Sequence, residues 1–147
     1  MPKTKLQEHD RYSFECALDV RVSDLNYGAH LGYDRILGMA HQARLEMFRE
    51  MGVDETDLGD GKTGIVASDV VVNYLGEAFV HDTLSFEIMP VEVGPISFRL
   101  AHRITRRQDG ARVALVEIGF VGFDYSRRSM SRLVPAFKEG LERMASG

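Results

Sequence analysis

The sequence has no tryptophan, one cysteine and only four prolines among its 147 residues. A single cysteine excludes an internal disulfide, and Cys16 lies on the apolar side of an alternating segment, where a small core residue is expected. No apolar run approaches the ~20 residues that span a bilayer, and the N-terminal stretch MPKTKLQEHDRYSF has no signal-peptide core. We therefore expect a cytoplasmic protein that does not enter a membrane.

An excess of charge of one sign is also lacking. The 18 basic and 22 acidic residues are interspersed, and the net charge is −4. Nucleic acids and anionic membranes select a basic stripe or patch, so we expect neither as a partner. With 44% hydrophobic residues and no repeat or linker, the chain predicts a single domain over residues 1–147, with residues 1–11 as a loose N-terminal tail.

The signatures of several common enzyme classes are missing. There is no G-x-S-x-G or H-E-x-x-H motif, and the five histidines lack the spacing of metal ligands. Gly61-Lys62-Thr63 is similar to the end of a phosphate-binding loop, but Thr56 replaces the first glycine of that motif. We expect no metal and no bound cofactor.

What the sequence does contain is a polar turn, Asp24 to Asp34, between a strand and a long amphipathic helix. Alternating apolar residues predict the strand over Tyr12 to Val22. Apolar residues then recur every three or four positions from Tyr33 to Met51, which predicts a helix that ends before Gly52. Arg44 falls inside this apolar stripe and needs a carboxylate or carbonyl partner if it is buried.

The rest of the chain predicts sequential strands joined by short turns. Such strands form an antiparallel sheet, and one long helix must cover most of one face. The run Val70-Val71-Val72 has apolar residues on both faces, which predicts an interior strand. The uncovered apolar surface and open sheet edges favour an oligomer. The predicted elements are strands over Thr63 to Tyr74, Thr83 to Val93, Ser97 to Arg107 and Arg112 to Tyr125, and a last helix from Pro135.

This order of elements resembles the hotdog fold, and more closely the acyl-CoA thioesterases of the 4-hydroxybenzoyl-CoA thioesterase type. Asp24 to His30 (DLNYGAH) resembles that family's D-x-D-x-x-G-H turn, and His41 to Arg44 (HQAR) lies where relatives have E-x-A-R. Val71 to Tyr74 followed by Asp82, and then Val134-Pro135, are similar to later family segments in the same order.

The resemblance implies an α+β hotdog fold, with an antiparallel sheet of five to six strands wrapped around one long central helix. It implies an acyl thioester of coenzyme A or of acyl carrier protein as the substrate, so coenzyme A would enter only as part of the substrate. It implies no metal. The active site would lie at the interface of a homodimer, and dimers often pair into homotetramers.

The sequence departs from the family pattern at three positions. Asn26 occupies the position of the catalytic acid, and an amide serves neither as a general base nor as a carboxylate nucleophile. Ala29 replaces a glycine of the turn, and His41 stands where relatives often have glutamate. Another carboxylate must therefore do the chemistry if the protein is an enzyme.

Asp34, in the first helical turn, is our first choice for that carboxylate, and Asp24 is the second. Asn26 and His30 complete the catalytic candidates by orienting water or substrate. Backbone amides at a helix start suit an oxyanion, which predicts an oxyanion site at Leu31, Gly32 and Tyr33. The predicted substrate contacts are Tyr27, Gly38 and His41.

Structural alternatives remain open for three of these side chains. In these alternatives Asp34 only complements the helix dipole, His30 caps the turn, and His41 is a half-exposed boundary residue. Three functions stay open in the same way. The first is an acyl-CoA thioesterase, the second is a non-catalytic acyl-CoA-binding module favoured by Asn26, and the third is a hotdog dehydratase or hydratase.

Overall fold

The structure is a computed structural model that describes residues 2–146, and these residues form six strands and two helices. Neither helix within this span is long and apolar enough to cross a membrane. The elements are β1 (Phe14–Asp19), α1 (Arg35–Met51), β2 (Thr63–Tyr74), β3 (Thr83–Val91), β4 (Ser97–Arg106), β5 (Arg112–Asp124), β6 (Ser129–Met130) and α2 (Pro135–Ser146).

The strands form one antiparallel sheet in the order β1-β3-β4-β5-β2, and β6 pairs with β5. Short turns join β3, β4 and β5, so strands adjacent in sequence pair directly. The pair β1–β3 brings Phe14 opposite Ile88 and Leu18 opposite Leu84, which places β1 and the turn after it at one edge. The α+β class and the antiparallel sheet predicted from the sequence are confirmed.

Helix α1 buries one stripe of side chains against the sheet. The prediction of this stripe is confirmed for most positions, although Tyr33 is 73% exposed because the helix begins only at Arg35. Gly52 ends the helix in the left-handed conformation, with φ 77° and its amide bonded to the carbonyl of Arg49. The buried residues of α1 are Ile36, Met39, Ala40, Ala43, Arg44, Met47 and Phe48.

A cluster of phenylalanines joins α1, α2 and the sheet. The ring of Phe137 in α2 lies 5.5 Å from that of Phe48 in α1 and 5.6 Å from that of Phe98 in β4. Phe98 also stacks on Phe120 of β5, with 5.3 Å between ring centroids. Burial of each such ring contributes roughly 2 kcal/mol, so the cluster fixes the C-terminal half of α1 on the sheet.

Strand β2 lies at an edge of the sheet, which contradicts the predicted interior position of Val70-Val71-Val72. Val70 is 42% exposed, and a bulge between Ala67 and Asp69 interrupts the pairing with β5. The apolar residues on both faces of β2 are therefore not explained by burial within one chain.

The N-terminal segment differs from the loose tail that its polar composition suggested. The buried amide of Asn73 accepts a hydrogen bond from the Leu6 amide at 2.7 Å and donates one to the Thr4 carbonyl at 2.9 Å. The guanidinium of Arg103 pairs with Glu8 at 3.3 Å and stacks on the ring of Tyr12. These contacts hold the segment against the face of the sheet opposite α1.

His102 of β4 is buried, with Nδ1 3.2 Å from the Val116 carbonyl oxygen and no partner for Nε2 among the described residues. Burial, reinforced by the charge of Arg44, lowers its pKa to about 4. Between pH 6.5 and this value the unfolded chain binds a proton that the folded protein does not bind. The free energy of unfolding therefore decreases as the pH is lowered from 6.5 to about 4, by about 3 kcal/mol for this group, and it increases again as the pH is raised.

We predict that His102→Leu removes this part of the pH dependence, because leucine has no proton to bind. Urea unfolding of both proteins at intervals from pH 7 to pH 4.5 measures the slope. We expect the variant to have a shallower decline than the wild type. Equal slopes for the two proteins would contradict the assignment of a neutral, buried His102.

Candidate active site

The turn between β1 and α1 is closed by Asp24, whose side chain is buried. Its carboxylate Oδ2 accepts a hydrogen bond from the Arg21 amide at 2.8 Å and lies 3.5 Å from the Arg21 Nε atom. Its backbone carbonyl accepts a hydrogen bond from the Gly32 amide at 2.9 Å. The Asp24 carboxylate therefore has a structural role in holding the turn closed.

Asn26 organises the tip of the turn. Its side-chain oxygen accepts a hydrogen bond from the Gly28 amide at 2.9 Å, and its backbone amide bonds to the His30 carbonyl at 2.9 Å. Ala29 adopts a left-handed φ of 60°, which costs a non-glycine residue about 1 kcal/mol. The side-chain nitrogen of Asn26 has no acceptor within residues 2–146 and remains available as a donor.

The amides at the start of α1 are only partly available for an oxyanion. The Leu31 amide donates to the Ala78 carbonyl at 2.8 Å, and the Gly32 amide donates to Asp24. This corrects the predicted oxyanion site, because two of its three donors are already used in the fold. The amides of Tyr33 and Asp34, which directly precede the first residue of α1, have no acceptor in the described part of the chain.

Asp34 lies beside these amides with an exposed carboxylate. It makes no side-chain hydrogen bond to the helix start, and its nearest charged partner is the Arg35 Nε atom at 3.9 Å. A Cβ on Gly32 would lie 2.8 Å from Asp34 Oδ1, so a glycine at position 32 leaves room for this carboxylate. Unlike Asp24, Asp34 is not engaged by the fold.

A cleft of about 670 Å³ opens between β1 and α1 at this point. Asp34, Gly38 and Gln42 line it from the helix, while Leu18 and Asp24 line it from the strand and the turn. A Cβ on Gly38 would meet no atom within 4 Å, which leaves the helix backbone open to a ligand. The cleft thus brings together Asp34, Asp24 and Gly38 from the predicted site.

His30, Tyr27 and His41 do not line the cleft. Nδ1 of His30 lies 3.2 Å from the Leu31 carbonyl oxygen, which matches the capping alternative, and the Tyr27 side chain is fully exposed. His41 points instead to the loop after α1, where its Nε2 atom lies 2.9 Å from the Glu55 carboxylate.

Glu55 also binds Arg44, with 2.6 Å between Oε1 and the Arg44 Nε atom. Arg44 is buried and lies over the ring of Phe120, 4.7 Å from its centroid. Burial acts to raise the pKa of Glu55, but the hydrogen bonds from His41 and Arg44 outweigh it and lower the pKa. The partner required by Arg44 is therefore Glu55, which the sequence pattern did not identify.

Tyr74 at the end of β2 is a second residue that sequence reasoning missed. Its hydroxyl donates a hydrogen bond to the Tyr33 carbonyl at 2.7 Å and so connects the edge strand to the start of α1. Within residues 2–146, no cluster of three or more histidine, cysteine, aspartate or glutamate side chains has a metal-binding arrangement.

Solved structures share this architecture. The 1,4-dihydroxy-2-naphthoyl-CoA thioesterase Slr0204 from Synechocystis superposes with a TM-score of 0.79 at 13% identity, over 87% of this chain and 94% of that one. YbaW, a probable thioesterase from Escherichia coli, has a TM-score of 0.73 at 24% identity over 89% and 98% of the two chains. These likenesses confirm the hotdog fold.

A third structure, SAV2348 from Staphylococcus aureus in complex with CoA, has a TM-score of 0.83 at 11% identity and covers 95% of this chain and 89% of that one. No curated protein sequence matches this chain. The family model of the thioesterase-like superfamily matches residues 20–141, which include the turn, the part of the cleft that the turn and α1 supply, and every strand of the sheet except β1. The chain belongs to the thioesterase-like superfamily, a family of hydrolases that act on thioester bonds.

Proposed function

We propose that this protein hydrolyses an acyl thioester of coenzyme A, or of acyl carrier protein, to a free acid and a thiol. The observation that carries this proposal is the position of Asp34. Its carboxylate has no structural hydrogen bond, borders the cleft and stands next to the unpaired amides of Tyr33 and Asp34. The SAV2348 complex supports a CoA-type ligand for a chain of this fold.

The amides of Tyr33 and Asp34 would bind the thioester oxygen as negative charge develops on it. The positive end of the α1 dipole adds to this stabilisation, and one such donor is typically worth about 3 kcal/mol. Asp34 would take a proton from a water molecule that attacks the carbonyl carbon and displaces the thiolate. Alternatively, Asp34 would attack the carbon itself and displace the thiolate, and water would then hydrolyse the resulting acyl anhydride to the free acid and Asp34. The thiolate is a good leaving group, so the reaction needs no metal and no strong general acid.

The remaining candidates would position the substrate. The free side-chain nitrogen of Asn26 can donate to the thioester oxygen or to water, and Gly38 lets the acyl part approach the helix backbone. His30 stays a candidate for orienting water. Asn26, His30, Tyr27 and His41 all lie outside the cleft of one chain, so their proposed contacts require a substrate that extends beyond the cleft or a neighbouring subunit.

We expect Asp34→Asn to lower kcat/KM for acyl-CoA by about 100-fold or more, because the amide cannot activate water. Release of free thiol from a panel of acyl-CoA substrates measures the rate. The melting temperature should stay near that of the wild type, because Asp34 supports no structural hydrogen bond.

Asp24→Asn is the matched control, since it makes the same chemical change at a buried, structural carboxylate. It should lower the free energy of unfolding by about 1–3 kcal/mol and leave the turnover of the folded protein largely intact. Full activity in Asp34→Asn, or equal loss of activity without loss of stability in Asp24→Asn, would refute the assignment of Asp34.

Asn26 favours a second candidate function, an acyl-CoA-binding module without turnover. Its side-chain oxygen already accepts the Gly28 amide, so the turn at this position is built without a carboxylate. We expect Asn26→Asp to increase acyl-CoA turnover by about tenfold or more, because it supplies a carboxylate at the usual position of the family.

The wild-type rate separates the two functions in the same assay. Thioester hydrolysis by the wild type supports the enzyme, whereas a raised melting temperature with acyl-CoA and no thiol release supports the binding module. If Asn26→Asp gains nothing over an active wild type, position 26 has no catalytic part in this chain.

We also propose that two copies pair through the open edge of β2, as a homodimer or as half of a homotetramer. Val70, Tyr74 and Leu75 are exposed along or beside this edge, and its backbone has no partner strand in one chain. Within each chain, Tyr74 at this edge contacts the start of α1, so pairing there would place the partner's sheet near that helix start.

We also propose that the protein resides in a reducing cytoplasm, which is consistent with the free thiol of Cys16.

Val70→Lys should disrupt this dimer, because a charge on an edge strand opposes strand pairing. Light scattering should give a multiple of the 16.5 kDa chain mass for the wild type and the mass of one chain for the variant. Val22→Lys is the matched control, since Val22 is exposed but lies away from the edge. A monomeric wild type, or an unchanged mass in Val70→Lys, would exclude this interface.

A further inference from the structure

A second cavity lies at the other end of α1, between the last turns of that helix, α2 and the start of β1. Its volume is about 520 Å³. Met47 on its wall is 13 residues beyond Asp34, which is roughly 20 Å along the helix axis. The cavity is therefore separate from the cleft at the helix start. Its apolar lining includes Phe14, Met47, Met51, Leu58, Phe137 and Met144.

The lining is suited to an alkyl chain. Apolar side chains form much of its wall, while its accessible lining is about as polar as it is apolar, a combination that suits an amphipathic ligand. Three of the lining residues are methionines, whose flexible side chains adapt to ligands of different shape. The side chains of Phe14, Met47 and Phe137 are fixed by the core, so the inner wall is rigid, whereas the partly buried Met51 and Met144 can adapt.

The polar groups of the cavity select a negatively charged head group. Arg11, Arg143 and Glu50 are its charged lining residues, so the lining contains two positively charged side chains and one negatively charged side chain. Neither arginine has an ion pair within residues 2–146. The Ser13 hydroxyl in the lining is buried and has no hydrogen-bond partner in the same span. Guanidinium groups bind carboxylates with charge-assisted, often bidentate hydrogen bonds.

We propose that this cavity is a binding site for a medium-chain aliphatic monocarboxylate. The alkyl chain would lie among the methionines and Phe137, and the carboxylate would contact Arg11 and Arg143, with the Ser13 hydroxyl as a further donor. This ligand has the chemistry of the acid that the proposed hydrolysis releases. The cavity and the cleft share no lining residue, so a carboxylate can bind in the cavity whether or not the cleft hydrolyses a thioester.

Gly140 of α2 provides a way to fill the cavity without disturbing the fold. A Cβ at this position would lie 3.3 Å from the terminal carbon of Met51 and 3.8 Å from an Arg143 nitrogen, both at the ends of flexible side chains. Leucine also has a higher helix propensity than glycine. Gly140→Leu should therefore fold and occupy the cavity, and Glu139→Leu places the same side chain on an exposed position of the same helix.

Calorimetric titration with decanoate tests the site. We expect one decanoate per chain to bind the wild type and Glu139→Leu alike, and Gly140→Leu to bind about tenfold more weakly or worse. Thermal melts establish that each variant is folded. Absence of decanoate binding in the wild type, or equal binding in Gly140→Leu, would overturn the proposal.

The head group and the location are tested separately. Arg11→Gln combined with Arg143→Gln should weaken binding of decanoate but not of decanol, and equal binding of the two ligands by the wild type would overturn the carboxylate assignment. Asp34→Asn should bind decanoate normally, whereas loss of binding there would place the acid in the cleft instead. Acyl-CoA turnover is measured in the same variants. We expect Gly140→Leu to keep the wild-type turnover, so a failure of decanoate binding at this cavity can be told apart from a failure of the proposed hydrolysis.

Discussion

Burial of the apolar stripe of α1 against the sheet is the constraint on which the rest of the structure depends. It fixes the axis of the helix, and the phenylalanine cluster of α1, α2 and β4 anchors the C-terminal half. At the other end, the Leu31 and Gly32 amides are bonded to Ala78 and Asp24, which sets where the chain enters the helix. The first unpaired amides are consequently those of Tyr33 and Asp34, directly before the first residue of α1.

Two aspartates ten residues apart have different roles because their surroundings differ. Asp24 is buried and accepts the Arg21 amide, so its negative charge is used to close the turn. Asp34 is exposed, unbonded to the helix start and in contact with the cleft, so its charge is available to a substrate or a water molecule. The role that we propose for Asp34 makes an asparagine at position 26 compatible with catalysis, because the start of α1 then supplies the carboxylate.

The two ends of α1 present different chemistry to ligands. The N-terminal end combines unpaired amides with a carboxylate beside an open cleft, an arrangement that suits a reacting carbonyl group. The C-terminal end combines methionines and phenylalanines with two arginines, an arrangement that suits a non-reacting amphipathic anion. The two cavities share no lining residue.

The sequence by itself determined the α+β class, the order of the elements and the bounds of β2, because periodicity and turn residues are local signals. The site that it predicts at the turn stays a prediction. It also determined that Arg44 needs a partner. Only the tertiary structure decided that this partner is Glu55, that Tyr74 reaches Tyr33, that β2 is an edge and that residues 4–12 cross the sheet. Each of these depends on pairing between residues distant in sequence, which no local pattern specifies.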